Sequence, residues 1–232
     1  MAERYRGAMA TPLSASAPAD CRVLGLRERK KQRTRDALVD AAHSLFLSQG
    51  YGRTTVDEIA ASVDVSQRTF FRYFANKEEV ALAVMADAEE FFIDCLRARP
   101  AEENPLQAMR AAITEAWRTL GTARHTGPGS VTAALELFEL IENTPTLLAA
   151  HLRHTTLQEA EVARVLAERE GLDPEVDLRP RLLAAVFGAV VRISHLSWSG
   201  DPKAHQAGPD GMIALIERHF DQLGPALAGS WR

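Results

Sequence analysis

From Arg27 to the end of the chain, apolar residues recur at spacings of three and four. Short clusters of Gly, Pro, Asn and Asp cut this pattern at Gly50-Tyr51-Gly52, Arg99-Pro100, Gly127-Pro128-Gly129, Asn143-Thr144-Pro145, Gly171-Leu172-Asp173-Pro174 and Ser199-Gly200-Asp201-Pro202. A period of 3.6 broken by such residues describes amphipathic helices joined by loops. No run alternates β-branched and polar residues as a half-buried strand would. The expected fold class is therefore all-α, with about nine helices.

The charge is divided along this pattern. The chain carries a formal net charge of −4, yet residues 22–77 hold eleven Lys/Arg against six Asp/Glu, and residues 78–232 hold fourteen against twenty-three. A basic segment ahead of an acidic body points to one part that meets a polyanion and one that does not. Residues 7–21 are rich in Ala, Ser and Pro without periodicity, so a disordered tail is expected over 1–26. No apolar run reaches the roughly 18–20 residues that span a bilayer. No export signal is evident, so the cytoplasm is the expected compartment and no membrane partner is expected. Cys21 and Cys95 are the only cysteines, too few for a disulfide scaffold.

Three helices follow within the basic segment. The first, about Lys31 to Gln49, has Leu38, Ala41, Ala42, Leu45 and Phe46 on one face, and Gly50 stands where a left-handed residue ends a helix. The second runs over about Val56–Ser62, with Thr55 and Glu58 spaced as a capping box. The third is capped by Ser66 and reads to Phe74, with Phe70 and Phe74 on its inner stripe. Gln67, Arg68, Thr69, Phe71, Arg72 and Tyr73 point elsewhere. Amide, guanidinium, hydroxyl and aromatic groups on one exposed helix suit the edges of bases in a major groove. A second capping pattern, Asn76-Lys77-Glu78-Glu79, opens the fourth helix. Lys77 there opposes the helix dipole, which a nearby phosphate would explain. A longer helix followed by two short ones makes a helix-turn-helix unit over 27–76.

The stretch Ala37–Leu82 resembles the DNA-binding domain of the TetR family of transcriptional regulators. The matching residues include Phe46, Gly50-Tyr51, Thr54-Thr55-Val56, Ile59-Ala60, Val65-Ser66, Thr69-Phe70-Phe71, Tyr73-Phe74 and Asn76-Lys77-Glu78. The resemblance implies base contacts from Gln67, Arg68, Thr69 and Phe71, and phosphate contacts from Thr55, Tyr73 and Lys77. The family usually has Tyr where Phe71 stands; a Phe keeps apolar contact with thymine or sugar, and Arg72 is placed to replace the lost phosphate contact. Arg33 lies in a basic run, Arg22 to Arg35, which reads either as a solvated helix start or as an arm on phosphates or in the adjacent minor groove.

Residues 77–232 are expected to form a regulatory domain that binds ligand and dimerises. Two apolar helices, about Leu178–Trp198 and Asp210–Leu223, suggest a two-fold interface built as a four-helix bundle, through Leu183, Phe187, Val190, Ile213, Ile216 and Phe220. The resemblance implies a pocket between the fourth and eighth helices for an inducer of apolar or amphipathic character, with Phe92, Trp117, Phe138, Ile141, His151, His154 and Phe187 as wall residues. His151 and His154 are i, i+3, but no third ligand stands at clear spacing, so no metal or other cofactor is expected. Cys95 reads as a small hydrophobe. No phosphate loop, nucleophile elbow, zinc-protease or dinucleotide motif occurs, so an enzyme is not expected. The expected function is a regulator, most simply a repressor, that binds a palindromic double-stranded DNA operator as a homodimer and is released by its ligand. An activator and an architectural protein without inducer are the alternatives.

Overall fold

The computed structural model describes residues 25–123 and 131–229. The expected loop at Gly127–Gly129 and almost all of the expected tail lie outside the described residues. The described elements are all helical: α1 Leu26–Gln49, α2 Val56–Ser62, α3 Gln67–Phe70, α4 Lys77–Arg97, α5 Pro105–Ala123, α6 Val131–Glu142, α7 Pro145–Glu170, α8 Arg179–Ser199, α9 Pro202–Gln206 and α10 Gly208–Ala228.

Four elements differ from the sequence expectation, the last helix by running on five residues past Leu223 to Ala228. α1 starts at Leu26, so the basic run forms its exposed first turns instead of preceding it. α9 is an additional five-residue helix, too short to show a period. α3 keeps α geometry only to Phe70; beyond it, the amides of Arg72 and Tyr73 bond the carbonyls of Thr69 and Phe70 in the tighter i→i+3 manner. The turn before α3 contains Asp64 at φ 59°, a left-handed position that aspartate tolerates better than most residues. Gly50, at φ 88° and ψ 147°, occupies backbone space that side chains avoid, and it lets the chain leave α1 at once.

Two apolar cores organise the helices. The first joins Leu38, Val39, Ala42 and Phe46 of α1 to Ile59 and Ala60 of α2, and to Phe70 and Phe74 at the recognition helix. It does not stop at residue 76. Val80–Ala83 of α4, Leu137 and Ile141 of α6, and Leu147 of α7 complete it. Polar ties reinforce this seam: the Arg35 guanidinium donates twice to the Asp87 carboxylate (2.8 and 2.7 Å), and His43 Nε2 meets the Ala81 carbonyl at 3.2 Å. The second core is a bundle of α4, α5, α7, α8 and α10, with Phe92, Met109, Leu166, Phe187, Trp198 and Ile216 among its buried members.

At the end of this bundle α9 crosses so close to α10 that a Cβ on Gly211 would lie 2.1 Å from the Ala204 carbonyl oxygen. Backbone cannot yield as a flexible side chain does. Gly211→Ala is therefore expected to lower the unfolding free energy by about 1–3 kcal/mol through overpacking. Denaturant unfolding of the full chain measures it, and an unchanged midpoint would mean that α9 does not press on α10.

Candidate DNA interface and ligand cavity

The recognition segment is fixed from beneath and from its ends. Phe70 and Phe74 are buried with ring centres 5.6 Å apart. Ser66 Oγ accepts the Thr69 amide at 3.1 Å and stands 3.0 Å from the Thr69 hydroxyl. Thr55 Oγ1 accepts the Glu58 amide while Glu58 accepts the Thr55 amide (3.2 and 2.8 Å), which is the expected capping box. These bonds hold the Glu58 carboxyl below its ordinary pKa. At α4, Asn76 Oδ1 accepts the Glu79 amide at 2.8 Å, but Glu79 reaches back to the Ala75 amide and not to Asn76.

Gln67, Arg68, Phe71 and Arg72 are exposed on one surface, with Thr69 and Tyr73 half-buried beside them. Phe71 leaves half its area open, an unusual exposure for a large ring, and it meets the Phe70 ring edge-on with centres 5.5 Å apart. The Arg72 guanidinium lies 5.1 Å from the Tyr73 ring centre and donates to its hydroxyl at 3.2 Å. Thr55 and Arg33 are exposed. Lys77 is turned inward: its Nζ donates to the carbonyls of Tyr51 and Thr54, both at 2.8 Å, and sits 4.0 Å from the Tyr51 ring centre. Tyr51 in turn donates to Glu78 at 2.7 Å, and burial followed by that carboxylate raises its pKa. The cation that opposes the α4 dipole is thus already met by carbonyls of the connection between α1 and α2.

A cavity of about 220 Å³ opens between α4, α5, α6, α7 and α8. Its walls include Phe92, Trp117, Phe138, His151 and Phe187, five of the residues expected there. Ile141 is not among them. It sits one turn from Phe138 on α6 but faces the N-terminal core, since successive turns of a helix between two cores serve both. His154 is also outside the lining; its Nε2 pairs with Glu89 at 2.7 Å, and this bond raises its pKa. The sequence reading missed Glu89, Thr155, Gln158, Glu159, Arg192 and His195. The spacing held a signal: His151, Thr155, Gln158, Glu159 and Val162 fall on one helical face, as do Phe187, Val191 and His195.

The wall histidines are poor cations. Burial, then His151, pushes His195 down to about 4, and burial likewise lowers His151. The edges of the Trp117 and Phe138 rings and the His195 imidazole meet with centres 5.6 and 5.0 Å apart. Among the described residues, no group of three His, Cys, Asp or Glu could hold a metal ion.

The expected dimer residues need correction. Phe187, Val190, Ile216 and Phe220 are buried inside the bundle, Leu183 packs against that core, and Ile213 is half-buried. Apolarity alone does not tell which face of α8 or α10 is turned outward. The exposed apolar stripe of α8 is Leu182, Ile193 and Leu196, with Leu182 63% and Ile193 48% accessible, and Leu178 stands exposed just ahead of the helix. α8 is also long and apolar enough, by length and composition, to cross a membrane; here α7 and α10 cover one side of it.

Residues 38–84 match the model of bacterial regulatory proteins of the tetR family, and residues 103–228 match the MftR C-terminal domain. The chain is 44% identical over 210 residues, 90% of either protein, to the HTH-type transcriptional regulator TcmR of Streptomyces glaucescens. Its fold is that of a SmeT–triclosan complex (TM-score 0.54, 20% identity, 82% of this chain and 91% of the other). It is also that of NalD, the secondary repressor of a multidrug efflux pump in Pseudomonas aeruginosa (TM-score 0.52, 20% identity, 83% and 96%).

The Lys77 geometry makes a prediction. Removing an ammonium that satisfies two carbonyls should cost about 1–3 kcal/mol. Lys77→Ala is expected to lower the thermal midpoint, whereas Arg68→Ala leaves it unchanged. A Lys77→Ala protein of unaltered stability but weaker DNA binding would return Lys77 to the phosphate-contacting role.

Proposed function

The chain belongs to the tetR family of bacterial regulatory proteins and is a transcriptional regulator, and we propose that it acts as a ligand-released repressor. In this reading it binds a palindromic operator in the cytoplasm as a homodimer, and a small apolar or amphipathic molecule in the cavity detaches it. Residues 27–76 read DNA and residues 77–232 sense and dimerise. The observation that carries the reading is the recognition segment, anchored by buried Phe70 and Phe74 and presenting Gln67, Arg68, Phe71 and Arg72 outward. Thr69 and Tyr73 flank them, Thr55 and Arg33 supply phosphate contacts, and Lys77 acts by positioning the turn that precedes α2.

Dimerisation is proposed through the exposed α8 stripe, Leu182, Ile193 and Leu196. Two reading heads on a symmetric dimer match half-sites about one helical turn apart. Release follows from shared walls: Val84 and Met85 of α4 line the cavity and pack on the N-terminal core, and α6 presents Phe138 to one and Ile141 to the other. A ligand that prefers another setting of these helices weakens operator binding by its differential affinity for the two states. A solved protein of this fold is a complex with triclosan, which supports the reading that this chain takes a small apolar molecule.

Selection of bound duplexes from random DNA tests the reading and is expected to return a palindrome. Arg68→Ala should then relax one position per half-site by about 1–3 kcal/mol. A uniform loss across sequences would place Arg68 on phosphate, and no selected palindrome would sink the proposal. For the interface, Ile193→Glu is expected to yield a folded monomer in sedimentation with weakened operator binding; a persistent dimer would exclude the α8 stripe.

A further inference from the structure

Glu159 stands in the cavity wall, half-buried, and no ion pair engages it among the described residues. The other wall carboxylate, Glu89, is matched by His154. Arg192 also lines the cavity, but its field is felt at His151 and not at Glu159, whose only resolved influence is loss of solvent. Burial of an unmatched carboxylate is costly, and it holds this carboxyl above its ordinary pKa. The fold makes room for the group all the same. It lies against Gly188 of α8, where a Cβ would come within 2.9 Å of Glu159 Oε1, so this glycine keeps the carboxylate seated at the wall.

The surroundings favour a positive guest. Phe92 and Phe187 are stacked, with centres 5.4 Å apart and planes 15° apart, and Phe138 and Trp117 add ring surface. Aromatic faces attract cations. Burial makes the two wall imidazoles poor cations, and Arg192, the remaining wall cation, is exposed to solvent.

We propose that the cavity selects a compact monocationic aromatic molecule, a protonated amine on a flat ring system, and that Glu159 is the residue that recognises its charge. The proposal rests on the reading of the cavity as the ligand site. A neutral guest of the same shape fills the rings and leaves the Glu159 charge unmatched; an anion adds a second charge of the same sign.

The test uses the full-length protein and three ring systems of similar size: proflavine as the cation, acridine as the neutral probe and anthracene carboxylate as the anion, titrated by fluorescence at slightly alkaline pH. Proflavine is expected to bind at least about tenfold more tightly than acridine. Glu159→Gln should abolish that preference while leaving acridine affinity unchanged, which also certifies that the variant is folded. Glu159→Asp, which keeps the charge, should retain it in part. Trp117→Ala should weaken proflavine and acridine alike. If the two bind equally, and Trp117→Ala but not Glu159→Gln weakens them, charge selection falls and the cavity stands as a ligand site. Tightest binding of anthracene carboxylate would overturn the proposal in favour of Arg192. If no probe binds, or Trp117→Ala affects none, both the proposal and the ligand-site reading fall.

Discussion

One helix serves two cores. α4 sends Val80–Ala83 into the core beneath the recognition segment, and Phe92, Ile93 and Leu96 into the bundle. At 1.5 Å per residue its 21 residues span roughly 30 Å as one stiff rod. Neither end moves without the other, and the His43–Ala81 contact near the start of the rod and the Arg35–Asp87 bridge at its midpoint fasten it to α1. The remaining architecture follows from this sharing. α6 lies across the same seam, and the cavity opens where α4 passes from one core to the other.

That position explains why a close-packed bundle retains empty space. Interiors ordinarily fill such gaps. Here the facing residues are large rings and polar groups: Phe138 and Trp117 meet the His195 imidazole edge-on, and Glu89 is held aside by His154. These contacts fix several of the bounding side chains and keep them from collapsing into the hole.

The fold was largely legible because helix, cap and breaker are local signals. Thr55 with Glu58, Ser66 and the alternation of buried phenylalanines place α2 and α3 without tertiary knowledge. Legibility failed where the signal was weak or depended on orientation. The charged run before Lys31 has no apolar period, so the early start of α1 was hidden, and α9 is shorter than two turns. Ile141 and Phe138 share a helix and a character, and only the packing assigns Ile141 to the N-terminal core and Phe138 to the cavity wall. The same holds on α8, where Phe187 and Ile193 are both apolar but one is buried and the other exposed. Lys77 was read as a phosphate ligand from its place at a helix start; its carbonyl partners are distant in sequence and invisible to such reasoning. Glu159 and His195 lay on the wall stripes, but a polar residue on an apolar face has no fixed meaning until a cavity is seen.

The recognition segment separates two kinds of position. Phe70, Phe74 and the Ser66 cap hold it in place, while Gln67, Arg68, Phe71 and Arg72 are exposed and lie outside the buried core. Exchange at these outward sites is nearly neutral for folding. A lineage of such proteins can therefore drift to new binding sites through these few codons alone, with the supporting framework left untouched.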